Sequence, residues 1–312
     1  MKWKYVITYE MEKIIKSLNS KNSYGYDEIS TKTIKLSSPF IISPLTRICN
    51  EILKTGIFPD RLKYALVKPI YKKGNKHETY NYRPISLLTS FSKIFEKLIF
   101  KRLFSHLEKN NILANEQFGF RPRASPDQVA YIMKNSILTA LNDKLVVGGI
   151  FCDLQKAFDG VNHEILIDKL EYYGIQGKFS SLIKSYLTGR FQRVIMGNSS
   201  HCGKSSNWKQ IKNSVPQGSI LGPLLFLLYK NDLPRVLDVK TNTVLYADDT
   251  SILIIGSNKI DFDKSINQTL QKINMWFQSN QLTLNVNKTQ FLEFRSKHSF
   301  KIASRWIINK TI

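Results

Sequence analysis

Acidic residues are scarce in this 312-residue chain: 24 Asp and Glu stand against 46 Lys and Arg, leaving a formal charge of +22 at pH 7 and a pI near 9.8. An excess of this size favours a polyanionic partner, with nucleic acid first among them. An anionic membrane surface would call for a basic amphipathic helix as the main feature, and none dominates. Long apolar runs are also missing. The most apolar stretch, residues 220–229, is about half of the roughly 20 residues that a membrane-crossing helix needs, so it reads as a buried core helix. Cysteine is rare. Cys49, Cys152 and Cys202 form an odd set without CxxC spacing, which excludes a disulfide framework and a cysteine-rich zinc site and points to a reducing compartment. His201 beside Cys202 has no second pair near it at ligand spacing. The first twenty residues carry charges throughout and lack the apolar centre of a signal peptide, so the expected location is intracellular, in cytoplasm or nucleus, with no secretion and no membrane partner. Neither a fixed-period repeat nor a low-complexity tract occurs, which excludes a solenoid.

What is present is enough for a core: 42% hydrophobic and 12% aromatic residues, suited to one large or two modest domains. Helical patterns fall at residues 10–18 and 39–55, and a strand-like YALVKPIY at 64–71. The basic, turn-rich segment KKGNKHETYNYRP at 72–84 reads as a loop that moves over a ligand. From residue 86 the apolar spacing of three and four (Leu88, Phe91, Phe95, Leu98, Ile99, Leu103, Leu107) predicts a long helix. Residues 145–154 predict a buried strand that ends at Asp153, followed by a helix capped by Asp159 and stopped at Gly174. A Pro- and Gly-containing loop then enters an apolar helix, VLYADDTSILII forms a hairpin, and FQSNQLTLNVNKTQFLEF reads as a helix end, a short strand, an Asn-rich loop and another strand. This irregular alternation predicts an α+β fold with antiparallel pairing.

The hairpin sets Asp248 beside Asp249 where two apolar strands meet. Adjacent carboxylates raise one another's proton affinity unless a cation offsets them. Mg²⁺ suits the position, since it takes carboxylate oxygens together with substrate phosphates. A third carboxylate from a neighbouring strand end would complete a site for two ions about 4 Å apart, and Asp153 is placed to supply it. The alternative at this point is that both are turn formers.

Taken in order, FCDLQKAFDGVNH (151–163), SVPQGSILGPLLF (214–226), YADDT (246–250) and NQLTLNVNKTQ (280–290) resemble motifs A, B, C and D of reverse transcriptases, in particular the non-LTR retrotransposon type of jockey-like and LINE-like elements. NYRPISLLTSFSKIFEKLI (81–99) and EQFGFRPRASPDQ (116–128) resemble that family's fingers motifs, and the likeness runs from about Lys13 to Phe294. The resemblance implies a right-hand polymerase palm and fingers, with an antiparallel palm sheet packed on helices. It implies Asp153, Asp248 and Asp249 as metal-holding catalytic carboxylates for two Mg²⁺ ions, with Mn²⁺ the substitute. Lys288 falls on the motif D lysine held to protonate the departing pyrophosphate. Phe158 falls where an aromatic ring would clash with a 2′-hydroxyl and select dNTP over rNTP, which disfavours an RNA-directed RNA polymerase. Arg83 matches the arginine that holds the triphosphate, Lys72 or its neighbour Lys73 is its candidate helper, and Gln217 and Gly218 match the nucleotide-facing loop of motif B. Gln117, Phe118, Gly119 and Arg121 match a template-contacting block.

The expected partners are an RNA template, a DNA primer, their hybrid and dNTPs. The expected organisation is an N-terminal fingers extension at 1–61, the reverse transcriptase domain at 62–297 and a short tail at 298–312, with the thumb largely missing and the chain truncated at both ends. The expected activity is RNA-directed DNA synthesis; the alternative is a catalytically inactive RNA-binding remnant of such an element. A group II intron maturase or telomerase-type enzyme shares the palm but would bring its own flanking motifs. Departures from the family pattern include Ser214 where Gly is usual before VPQG, and Gly160 where Thr or Ser is usual after AFD.

Overall fold

The computed structural model describes residues 4–121, 124–197, 204–237 and 241–295. His201, Cys202 and the tail at 298–312 lie outside these residues. In chain order the elements are α1 (Thr8–Lys16), α2 (Thr31–Leu36), α3 (Ser38–Thr55), β1 (Tyr64–Tyr71), β2 (Tyr82–Leu88), α4 (Ser90–Lys109), α5 (Pro126–Asn142), β3 (Val146–Cys152), α6 (His163–Tyr172) and α7 (Lys178–Leu187). They continue as β4 (Arg190–Val194), β5 (Lys209–Ile211), α8 (Leu221–Lys230), α9 (Leu233–Val236), β6 (Thr241–Tyr246), β7 (Asp249–Gly256), α10 (Lys259–Ser279) and β8 (Gln290–Phe294). The fold is α+β, and the chain divides into two compact units: residues 1–112 with 162–225, and residues 113–161 with 226–312.

The first unit holds a four-stranded sheet in the order β2-β1-β4-β5. β1 and β2 pair antiparallel from Ala65↔Leu88 to Tyr71↔Tyr82. This corrects two sequence expectations: the loop ends before Tyr82, and the long helix begins at Ser90 rather than 86. Arg83 and Pro84 looked like loop because proline removes a ladder donor. Here Pro84 sits on the edge strand and is paired with Pro69, so neither position needs an N–H. Thr89 starts α4 by accepting from the Ser92 N–H, as an N-cap should. Along α4, Ile94, Phe95, Leu98, Ile99, Leu103 and Leu107 are buried, as the spacing predicts, but so is Glu96. The helix after Asp153 starts at His163 and is capped by Asn162, whose side chain accepts from the N–H groups of Glu164 and Ile165. Asp159 is therefore not the cap; its own N–H closes a turn onto the Lys156 carbonyl. Gly174, with φ +77, does end that helix.

The second unit is built on the sheet β6-β7-β3-β8, antiparallel throughout. Its core is Val147 and Ile150 of β3, Ile252 and Ile254 of β7, and Phe262, Ile266, Ile273 and Phe277 of α10. α10 lies close on the sheet because glycine leaves room for Phe262. A Cβ on Gly148 would come 2.7 Å from the Phe262 ring and 3.0 Å from the Leu292 carbonyl, and one on Gly256 would come 2.7 Å from Phe262. The short strand expected near 283 is reduced to a single bridge, Leu154↔Leu284. Cys49 and Cys152 are buried free thiols, and among the described residues no helix is long and apolar enough to cross a membrane.

Two substitutions test this packing. Gly148→Val forces its side chain into Phe262 and should cost about 2–3 kcal/mol in denaturant unfolding. Ser214 holds φ +94, a conformation that glycine adopts without strain, so Ser214→Gly should add about 1 kcal/mol, read as a raised Tm.

Candidate active site

Strand register assembles the acidic group of the second unit. β3 pairs with β7 down to Cys152↔Thr250, so one more step in register sets Asp153 opposite Asp249. β7 pairs with β6 up to Tyr246↔Asp249, which leaves Ala247 and Asp248 as the turn. All three carboxylates thus share one end of one sheet. Burial raises the Asp249 pKa, and the charges of Asp248 and Asp153 push it further up against the opposing pull of Lys230 and Lys288.

Asp153 already has cationic company. Lys288 Nζ lies 3.1 Å from its Oδ2, the Asn285 amide donates to the same oxygen at 3.0 Å, and the Asn285 N–H donates to the Asp153 carbonyl at 2.8 Å. Thr289 and Lys288 donate their backbone N–H groups to the Asn285 carbonyl, so one tight turn delivers both side chains. The Lys288 side chain is 53% exposed, and a pair that open is worth at most about 1 kcal/mol. An arriving cation can displace it at small cost.

Beneath the hairpin turn lies a residue that sequence reasoning missed. Lys230, the last residue of α8, is fully buried. Its ammonium donates to the carbonyls of Ala247 at 3.1 Å and Asp248 at 3.0 Å and to Thr250 Oγ1 at 3.0 Å. An ammonium has three donors, and all are used. Ala247 sits at φ +57, an unfavourable region for a residue with a Cβ, and Lys230 fastens the carbonyl of that residue. The available signal was one charge at the end of an otherwise apolar run, LLFLLYK. Asn285 was missed too, because Asn in a loop is ordinary turn chemistry.

The block at 117–121 props the same turn. Gln117 bridges Leu245, the Phe118 N–H donates to the Leu245 carbonyl at 2.8 Å, and the Leu245 N–H donates to Glu116. The Gln117 side chain is buried and accepts from the Gly119 N–H. A Cβ on Gly119 would collide with the Ala247 nitrogen, so glycine is needed for the close approach. Arg121 donates to the Ala114 and Gln117 carbonyls. Phe158 is half-buried, stacked on Phe226 with ring centroids 4.9 Å apart and edge-on to Phe120 at 6.5 Å.

The remaining predicted site residues belong to the first unit. Lys72, Lys73 and Arg83 are exposed, the first two just after β1 and Arg83 on β2. The Gln217 carbonyl accepts from the Ser86 N–H at 2.7 Å, which docks the 214–221 loop on the strand that carries Arg83. Gly218 has φ +117, and a Cβ there would lie 2.6 Å from the Ser86 carbonyl.

Hard divalent cations prefer carboxylate oxygens, and the carboxylate group supplies them. The crowding that raises the Asp249 pKa and the ammonium drawn to Asp153 both mark a place that favours positive charge. The residues therefore fit Mg²⁺. Among the described residues no three ligating side chains are already gathered at coordination distance; Asp153 Oδ2 is turned to Lys288 and Asn285 instead.

Lys230 also gives a pH signature. Burial lowers its pKa to about 8 from 10.5, against the pull of Asp248, Cys152 and Asp249. Between those values the unfolded chain holds a proton that the folded chain has released, so this site adds stability as pH rises through the window. The full increment is about 3 kcal/mol at 1.36 kcal/mol per unit. Comparison of urea unfolding at pH 7.5 and 10 should show the increment in the native chain and its loss in Lys230→Met.

The family model described as "Reverse transcriptase (RNA-dependent DNA polymerase)" matches residues 70–304. A probable RNA-directed DNA polymerase from transposon BS of Drosophila melanogaster is 35% identical over 90% of this chain and 31% of its own length. The RNA-directed DNA polymerase from mobile element jockey of the same organism is 31% identical over 92% of this chain and 32% of its own. The chain thus spans about a third of these relatives. Apo telomerase from Candida tropicalis shares the fold, with a TM-score of 0.53 at 17% identity over 81% of this chain and 56% of that one. Palm and fingers are the architecture observed. On the match across 70–304 and the kinship to the BS and jockey proteins, the chain belongs to the reverse transcriptase family, in its non-LTR retrotransposon branch.

Proposed function

We propose that this chain performs RNA-directed DNA synthesis, extending a DNA primer on an RNA template with dNTPs, through the acidic end of the β6-β7-β3-β8 sheet. The observation that carries the reading is the convergence of Asp153, Asp248 and Asp249 within one another's electrostatic reach, with Lys288 at the rim. Asp153 and Asp248, with Asp249 beside them, would hold two Mg²⁺ ions, or Mn²⁺ in their place. Bound there, the metal supplies Lewis-acid activation of the primer 3′-hydroxyl and neutralises charge on the phosphates.

The chain's own groups do the rest. Arg83, with Lys72, is proposed to grip the triphosphate through charge-assisted hydrogen bonds. Gln217 and Gly218 present backbone to the nucleotide, at a point where Gly218 admits close approach. Phe158, fixed against Phe226, offers its ring to the sugar and excludes a 2′-hydroxyl. Lys288 is free to leave Asp153 at small cost, and we assign it proton donation to the departing pyrophosphate. The segment 117–121 guides the template past the hairpin, and the basic excess of the chain tracks the RNA and the hybrid, with affinity that falls as salt rises. On this reading residues 1–61 form a fingers extension to the reverse transcriptase domain at 62–297.

Primer extension on an RNA template, with a DNA primer, dNTPs and Mg²⁺, tests the proposal. The native chain should extend the primer and Asp153→Asn should lose at least about a thousandfold in rate, the scale on which charge stabilisation in a site acts. Equal extension by both would refute the assignment.

A further inference from the structure

The loop that joins β5 to α8 is held by a buried polar network centred on Glu96, a residue to which the motif resemblance assigns no role. Glu96, in mid-α4, brings a fully buried carboxyl group to this loop. Its Oε2 accepts from the Ile220 N–H at 2.6 Å and the Leu221 N–H at 3.4 Å, and its Oε1 accepts from the Ser92 hydroxyl at 3.0 Å. Ile220 and Leu221 open α8, so the carboxylate satisfies N–H groups that a helix start leaves without partners. These contacts link positions about 125 residues apart in sequence.

The countercharge is Arg190, 1% exposed, whose Nη1 donates to the Tyr186 carbonyl at 3.0 Å and whose guanidinium lies over the Tyr186 ring at 4.8 Å. Burial pushes Glu96 toward its neutral form, and Arg190 acts most strongly in the opposite direction, ahead of the hydrogen bonds from Ile220 and Ser92. A charge this deep is costly unless it is compensated; Glu96 has hydrogen bonds from Ile220, Leu221 and Ser92, and the Arg190 charge acts on it without a direct ion pair among the described residues.

The other end of the loop is tied as firmly. His163 Nε2 donates to the Ser214 carbonyl at 2.7 Å, where Ser214 holds its left-handed backbone. Burial lowers the His163 pKa, against the hydrogen bond to Ser214 and with the Arg190 charge; a carbonyl only accepts, so Nε2 is the donor. Between these ties the Ser219 hydroxyl donates to the Pro216 carbonyl at 2.8 Å and accepts from the Gly222 N–H at 2.9 Å. From Ser214 to Gly222 the backbone is pinned at Ser214, Pro216, Gln217, Ile220, Leu221 and Gly222. Gln217 and Gly218 are left with half-buried and exposed surfaces respectively.

We propose that Glu96 is a positioning residue for nucleotide selection: its carboxylate clamps the start of α8 and so fixes the Gln217–Gly218 backbone in the geometry that receives the incoming dNTP. The inference rests on the assignment of that loop to the nucleotide, and it adds a residue of another element that never touches substrate. A bare packing role would require only shape at position 96. A clamp requires an acceptor, so Gln, which keeps one carbonyl oxygen for Ile220, should serve where an apolar residue of similar size does not. Misplacement of a loop by about 1 Å can cost up to a hundredfold in rate or binding.

Full-length Glu96→Gln and Glu96→Leu decide the matter by two readouts. In amide hydrogen exchange, Glu96→Leu should open peptides covering 214–225 while peptides covering β1 keep native protection, and Glu96→Gln should retain protection in both. In primer extension, Glu96→Leu should raise the dNTP KM about tenfold or more with a smaller fall in kcat, and Glu96→Gln should stay near native. Unchanged exchange at 214–225 in Glu96→Leu overturns the proposal. So does loss of protection across the whole unit, or a Glu96→Gln variant as impaired as Glu96→Leu, since either makes the residue only a fold element or a mate for Arg190. If the native chain extends no primer, the polymerase assignment fails for this chain, while the exchange arm still decides whether Glu96 holds the loop.

Discussion

Repulsion among three carboxylates at one end of one sheet is the constraint from which the second unit is built. Asp248 and Asp249 are consecutive, and register brings Asp153 opposite Asp249. The charge is offset by cations on two sides. Lys230 is internal, with its donors fixed to Ala247, Asp248 and Thr250 and its side chain sealed from water. Lys288 is external and exchangeable, more than half exposed on the rim. The first fastens the turn from inside, and the second touches Asp153 at the surface. The glycine at 119 lets backbone approach that turn closely.

The first unit meets a different problem by similar means. A loop that exposes backbone and still keeps one shape needs fixed points elsewhere along its length. The chain solves this by taking every fixed point of the 214–222 segment inward, to Glu96, His163, Ser86 and Ser219. Buried charge appears in both units, Lys230 in one and Glu96 with Arg190 in the other. Lys230 and Glu96 each bind main-chain groups of a turn or loop rather than the surface.

Much of this was legible in the sequence where a local rule decides. The hairpin at 246–252, the buried strand into Asp153 and the apolar helix after 220 follow from spacing and turn chemistry, and their order carries the family likeness. Legibility failed where tertiary context overrides the local signal. NYRP looks like loop, yet it becomes an edge strand because Pro84 faces Pro69 and neither needs a donor. Asp159 looks like a helix cap, but Asn162 stands closer to the first helical turn and caps it. Glu96 looks like one more charge on an amphipathic helix and Lys230 like a stray charge ending an apolar one, because the groups they bind are supplied by segments distant in sequence or by a turn still to be formed. Gln117 and Gly119 lie in a segment matched to template contact, and what the fold adds is their close packing on the Leu245–Ala247 backbone. No periodicity encodes such pairings.

The account turns on the acidic sheet end being a cation site. Mn²⁺ binding to the metal-free chain, followed by electron paramagnetic resonance and compared with Asp248→Asn, addresses it directly. Saturable binding by the native chain that weakens sharply in the variant, with the fold intact by circular dichroism, is the predicted result. No saturable binding, or equal binding by both chains, would contradict it.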